Sequence, residues 1–226
     1  MNEYAYFSYN NIHKPALLGL FGAILGYQGR RHSLQSMVVE YYEKLKHLKV
    51  SIRPLSKAGY FRKKIQTFNN SVGYASQEDG GNLVIRQQWL ENPQWQIAIL
   101  DDNSPTFLEF KNRIEAKQFE FLPYLGSNDH FANISNAQIF ALTKDFNSER
   151  IDSLFYGLLS EKDLSDPDLT EVKINPFFYK EFLPKSLVEG HYIYDYEQFY
   201  FTNYDALSCI GSENIYAVND LNLFFF

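Results

Sequence analysis

Thiols are almost absent: Cys209 stands alone among 226 residues. A single cysteine excludes an internal disulfide and any multi-thiolate metal site within the monomer, and it suits a reducing compartment. The five histidines, at 13, 32, 47, 130 and 191, are scattered and show no HExxH-type spacing. No metal and no cofactor are expected. Long apolar runs are also missing. Residues 16–27 form twelve consecutive apolar or glycine positions within HKPALLGLFGAILGYQGRR, short of the roughly 20 needed to cross a bilayer. A signal peptide would place its charge within the first few residues and end at an A-x-A-like site, and neither is there. The expectation is a cytoplasmic protein with no membrane segment. Internal repeats and low-complexity stretches are absent too.

What is present is aromatic. Apolar residues make up 45% and charged residues 21%, ordinary for a globular chain, but there are 20 Phe and 17 Tyr. Such rings either fill a core or form stacking surfaces for bases or partners. Charge is segregated. The first hundred residues carry a net +6 and the remainder −12, although the whole is only −6. Residues 30–64 hold ten basic and two acidic side chains. A local stripe of this kind can meet a polyanion whatever the overall pI, or can be a solvated helix face.

Along the chain, EYAYFSY (3–9) reads as a strand and Asn10-Asn11 as a polar break. Pro15 opens a helix over about 15–27, buried because it is apolar all round, with Gly22 and Gly26 letting it lie close to a sheet. Ser33 is a candidate N-cap for a second helix carrying Met37, Val38, Tyr41, Tyr42, Leu45 and Leu48 at helical spacing. KVSIRPL is a strand ended by Pro54. Strands at 63–69 and 82–89 flank a polar, glycine-containing excursion, and WQIAIL follows the Asn92-Pro93 turn. Their basic flanks make this long hairpin a projecting arm. Ser104-Pro105 starts a helix to about Lys117. FEFLPYLGSNDHF is a short strand running into a glycine turn. The rest mixes short strands with acidic loops and ends in LNLFFF, either a buried strand or a docking tail. The order approaches βαββαβ, so the expected fold is α+β: a ferredoxin-like or RRM-like domain over 1–130, a β-hairpin thumb at about 60–90, and a dependent β-rich extension over 131–226.

Four stretches together, NIHKPALLGLFGAILGY, KKIQTFNNSVGYAS, GGNLVIRQQWLENPQWQIAIL and PYLGSNDHFA, resemble the CRISPR-associated RAMP family Cas five, subtype I-B. The resemblance covers about residues 4–135. It implies an RRM-like subunit that caps the 5′ handle of the crRNA in the Cascade surveillance complex, with a thumb separating the handle from the first spacer nucleotides. It also implies contacts with the Cascade backbone subunit and the large subunit, and an indirect relation to target DNA. In subtype I-B a separate endoribonuclease usually cuts the precursor, so a binder without catalytic residues is expected; in subtype I-C the corresponding subunit is itself the nuclease. The family normally begins with a further strand and a basic-aromatic segment, so either EYAYFSY serves as the edge of the sheet or this chain is N-terminally short.

The candidate RNA-binding residues form three groups. His13 and Lys14 stand at the start of the glycine-rich helix, where free N–H groups and the helix dipole favour a phosphate. Arg30 and Arg31 lie past its end, able to neutralise carbonyls or to reach phosphates. Arg62, Lys63, Lys64 and Arg86 flank the thumb, and Phe68, Asn69 and Asn70 offer a stacking ring beside two amides. Trp89 and Trp95 are read as packing. Tyr124, Gly126 and His130 belong either to a glycine turn or, in a metal-independent endoribonuclease, to an acid–base site. A third reading makes the basic stripe a docking face for an acidic protein.

Overall fold

The computed structural model describes residues 5–29, 39–69, 77, 79, 83–144, 150–157, 175–190, 193–204 and 213–226. It shows a mixed helix and antiparallel-sheet fold, an α+β architecture.

The first helix, α1 (Lys14–Leu25), is buried on most sides, through Leu17, Leu18, Phe21, Ile24 and Leu25. His13 caps its start: the ring Nδ1 accepts from the Ala16 N–H at 3.2 Å. Its end is fixed by Gly26 at φ 81, a left-handed cap that favours glycine, with the Tyr27 N–H returning to the Gly22 carbonyl at 2.8 Å. The remaining carbonyls of the last turn are also taken. Glu120 and Phe121 donate backbone N–H groups to Ile24 and Ala23, and the Arg113 guanidinium reaches the Ile24 oxygen.

The expected close approach of α1 to a sheet takes a different form. Gly22 lies against Tyr41 of the second helix, α2 (Glu40–Leu45), and α1 also packs on a strand of the C-terminal half, Phe178–Leu187. Gly22 and Gly26 therefore do separate jobs, one packing and one capping. The expected start of α2 at Ser33 lies outside the described residues, as do Met37 and Val38.

The core strand is β1 (Val50–Pro54), whose Val50 and Ile52 are fully buried. It pairs antiparallel with β4 (Trp95–Ile99). Its other edge is completed by non-neighbouring chain: Phe226 exchanges backbone bonds with Val50 at 3.0 and 3.1 Å, and the Leu154 N–H donates to Ile52. LNLFFF is thus a buried ending, with β9 (Leu221–Phe224) followed by a Phe225 that is fully buried. Between β1 and β4 the chain forms the hairpin of β2 (Lys63–Asn69) and β3 (Val84–Leu90). After β4, Ser104 caps α3 (Pro105–Ala116), accepting from the Phe107 N–H at 3.1 Å.

The C-terminal half supplies β5 (Thr143–Lys144), the long pair β6 (Phe178–Leu187) and β7 (Tyr194–Thr202), and β8 (Ile215–Val218) between β5 and β9. Leu183 of β6 and Phe199 and Phe201 of β7 alternate inward and join α1, β1 and Phe110 of α3 in one buried cluster. The two halves of the chain therefore share a core. Within the C-terminal half, Asp152 ties its segment to β9: its carboxylate accepts from the Arg150 guanidinium and, at 3.0 Å, from the Asn222 N–H. EYAYFSY (3–9) is expected as a strand; its described part, residues 5–9, meets β3 through the bridge of Tyr6 to Gln87. Among the described residues, no helix is long and apolar enough to cross a membrane.

Candidate nucleic-acid interface

A hairpin that belonged to a core would bury alternate residues. In β2 and β3 no residue is fully buried, and Ile65 and Val84 are 51% and 61% exposed. The two seven-residue strands carry Lys63, Lys64 and Arg86 and no carboxylate, and Arg62 precedes them. All four side chains belong to exposed residues. The result is a pair of cationic strands, bordered by Glu91 at the base and by Glu78 and Asp79 in the connecting segment, on a molecule whose net charge is −6, a distribution that attracts a polyanion locally.

The hairpin's base is anchored by the two residues read as a mere polar break. Asn10 and Asn11 are 1% and 2% exposed. The Asn10 side-chain oxygen accepts from the Phe61 N–H at 3.1 Å, and that of Asn11 accepts from Trp95 Nε1 at 3.1 Å. One bond holds the chain just before β2 and the other holds the start of β4. The Asn10 N–H donates to Glu181 of β6 at 2.7 Å. Burial pushes the Glu181 carboxyl up, against backbone N–H bonds from Asn10 and Asn11, the nearby Lys63 charge and the Tyr179 hydroxyl, which hold it down.

The predicted residues separate into distinct places. His13 is buried as the α1 cap, between Tyr9 and Tyr194 at ring distances of 5.3 and 5.1 Å. Burial holds its imidazole down to about 4, so it is neutral near pH 7. Lys14 turns inward, donating to the Phe226 main-chain oxygen at 2.9 Å. Burial, with the Lys49 charge adding to it, lowers its ammonium to about 8. Arg30, Arg31 and Asn70 lie outside the described residues. Lys63 donates to the Ser8 carbonyl at 2.9 Å, while Lys64 lies over the Trp89 ring at 5.8 Å. Phe68 is half-buried, 6.4 Å from Trp89, and Asn69 and Arg86 are exposed. The structure therefore brings Arg62, Lys63, Lys64, Phe68, Asn69 and Arg86 together on one hairpin, and sets His13 and Lys14 apart from it on internal partners.

The residues of the acid–base reading form a turn. Tyr124 bridges Phe131, Gly126 adopts φ 85, and His130 pairs its Nδ1 with the Ser127 hydroxyl at 2.9 Å. The His130 ring meets Trp89 edge-on at 4.5 Å, which docks this turn on the hairpin. Sequence reasoning undervalued Trp89 and passed over Tyr6 and the two asparagines. Among the described residues, no group of three or more His, Cys, Asp or Glu side chains is placed to hold a metal ion.

No protein-family model matches this chain, and no curated protein does. A solved structure described as a CRISPR RNA-guided surveillance complex contains a chain similar to it, with a TM-score of 0.46 and 12% identity, covering 94% of this chain and 88% of that one.

Proposed function

We propose that this protein is a non-catalytic crRNA-binding subunit of a type I-B CRISPR Cascade surveillance complex, capping the 5′ handle of the guide RNA. The observation that carries the reading is the β2–β3 pair, whose two strands have no buried residue, three cations and no carboxylate, with the acidic Glu78 and Asp79 confined to the connecting segment. In this reading the body is a ferredoxin-like, RRM-like RAMP domain and the hairpin is its thumb, inserted at the handle. The four sequence stretches that resemble the family supply the identity of the RNA. The Cascade backbone and large subunits are the expected protein partners, and target DNA is met only through the assembled complex. A solvated cationic ribbon supports phosphate contact, which is the sequence-independent part of single-strand binding.

Handle-length RNA mixed with the full chain in EDTA tests this directly. Binding should leave the RNA intact and weaken with salt. Each of Lys63→Ala, Lys64→Ala and Arg86→Ala that removes a phosphate contact should shallow the log–log salt slope by about 0.7. A cut product that disappears in His130→Ala would instead make the chain a metal-independent endoribonuclease processing precursor crRNA. Unchanged binding and slope in all three cation variants would remove the hairpin from the interface.

A further inference from the structure

Opposite residues of an antiparallel pair share a face, and neighbours along a strand alternate between faces. The observed register sets Lys64 opposite Trp89, Gln66 opposite Gln87 and Phe68 opposite Ile85. These point one way, while Lys63, Thr67, Asn69 and Arg86 point the other. Tyr6 bridges Gln87 in parallel pairing, which puts its side chain on the Trp89 face. The hairpin thus has an aromatic face with one cation and an opposite face that carries Lys63 and Arg86 among polar side chains and the aliphatic Ile65, Val84 and Leu90.

We propose that the aromatic face, built from Tyr6, Trp89 and Phe68 with Lys64 beside them, is a base-stacking platform for single-stranded RNA. The inference rests on the RNA-binding function proposed above and deepens it, by separating the face that holds bases from the side chains that hold phosphates. Three observations support it. Tyr6 is 51% exposed, and Phe68 and Trp89 are only half-buried, so ring area remains open on a hairpin that encloses no core. Trp89 is held in place: the His130 ring meets it in a T-shaped contact at 4.5 Å, and its Nε1 donates to Gln87 at 3.0 Å. A ring fixed by such contacts is pre-organised, and loses little freedom when a base stacks on it. Lys64 Nζ lies over the Trp89 ring, 5.8 Å from its centroid, and a base that displaced it from that face would leave the ammonium beside its own phosphate. The lack of carboxylates on both strands chooses RNA over a basic protein segment as the occupant.

The chain has two tryptophans, so Trp95→Phe leaves Trp89 as the one tryptophan, whose emission is read by selective excitation above the tyrosine band. Titrating that variant with single-stranded RNA of handle length should quench Trp89 emission in step with binding. Tyr6→Ala, Phe68→Leu and Trp89→Leu should each weaken binding by about 5- to 100-fold, with the salt slope unchanged. Lys63→Ala and Arg86→Ala should do the reverse, lowering the slope and leaving the quench. Tyr6→Ala is the safest of these for folding, because Tyr6 holds β3 through backbone bonds. If Trp95→Phe does not fold, 19F-labelled tryptophan in the unaltered chain reports the same event, with the Trp89 resonance assigned from Trp89→Leu. RNA bound at full affinity by all three aromatic variants, without a Trp89 signal, overturns the platform and leaves the RNA-binding function standing. Absence of RNA binding by the full chain and by its assembled complex overturns that function itself. A Trp89 signal that appears with a protein partner and not with RNA overturns the choice of occupant.

Discussion

Two glycines of α1 face the same tyrosine, yet alanine at each should act in opposite directions. A Cβ built on Gly22 would stand 2.5 Å from Tyr41 Cβ and 3.2 Å from its Cγ. Those are the root atoms of a side chain carried by α2, so relief requires the two helices to separate. A Cβ on Gly19 would meet the Tyr41 ring at 3.7 Å, ordinary van der Waals contact. Both substitutions gain about 1 kcal/mol from helix propensity. At Gly22 that gain is set against about 1–3 kcal/mol for forcing a methyl into a packed interface, a net loss of up to about 2 kcal/mol. At Gly19 nothing opposes it, and the chain should be stabilised by about 0.5–1 kcal/mol. Urea unfolding and thermal melting of the two variants beside the wild type would measure the difference, at roughly 2–4 °C per kcal/mol for a chain of this size. The reasoning fails if Gly22→Ala proves as stable as Gly19→Ala.

Further outcomes follow from buried polar groups. His13 takes up a proton at about 4 in the folded chain against an ordinary 6.5, so its contribution is complete above about pH 6.5 and is lost as pH falls towards 4. The loss amounts to roughly 2–3 kcal/mol. His13→Asn keeps a capping acceptor and does not titrate, so its urea midpoint should fall less than that of the wild type across this window; equal falls would refute the assignment. Asp152→Ala removes the acceptor for the Asn222 N–H and for Arg150 from a side chain only 8% exposed. It should cost about 2–4 kcal/mol by denaturant unfolding, and a cost under about 0.5 kcal/mol would show that the β9 edge does not depend on it.

Local signals carried much of this fold into the sequence. Pro15 and Ser104-Pro105 mark helix starts because proline's missing N–H costs nothing in a first turn, and α1 and α3 begin there. Period-two runs placed β2 as 63–69 and found β3 and β4 within two residues. Pairing was less legible. β1 takes Leu154 and Phe226 on its second edge, contacts spanning more than 100 residues that no local pattern encodes. The candidate site divides in the same way. That Lys63 and Lys64 fall on opposite faces follows from strand alternation alone. That Lys64 shares a face with Trp89 depends on the hairpin register, which the sequence does not fix across a long excursion. His13 and Lys14 suit a phosphate by helix position, but burial and the inward bond to Phe226 depend on the ends of the chain meeting.

The direction of the hairpin is written outside the hairpin. Two adjacent amides, Asn10 and Asn11, grip the chain where it enters the arm at Phe61 and where it has returned at Trp95. They work like a mortise around a tenon: both faces of the arm, with the cations they carry, are set in direction by side chains that touch none of those cations. A substitution at that corner would re-aim the whole charged surface at once while leaving each of its residues unaltered.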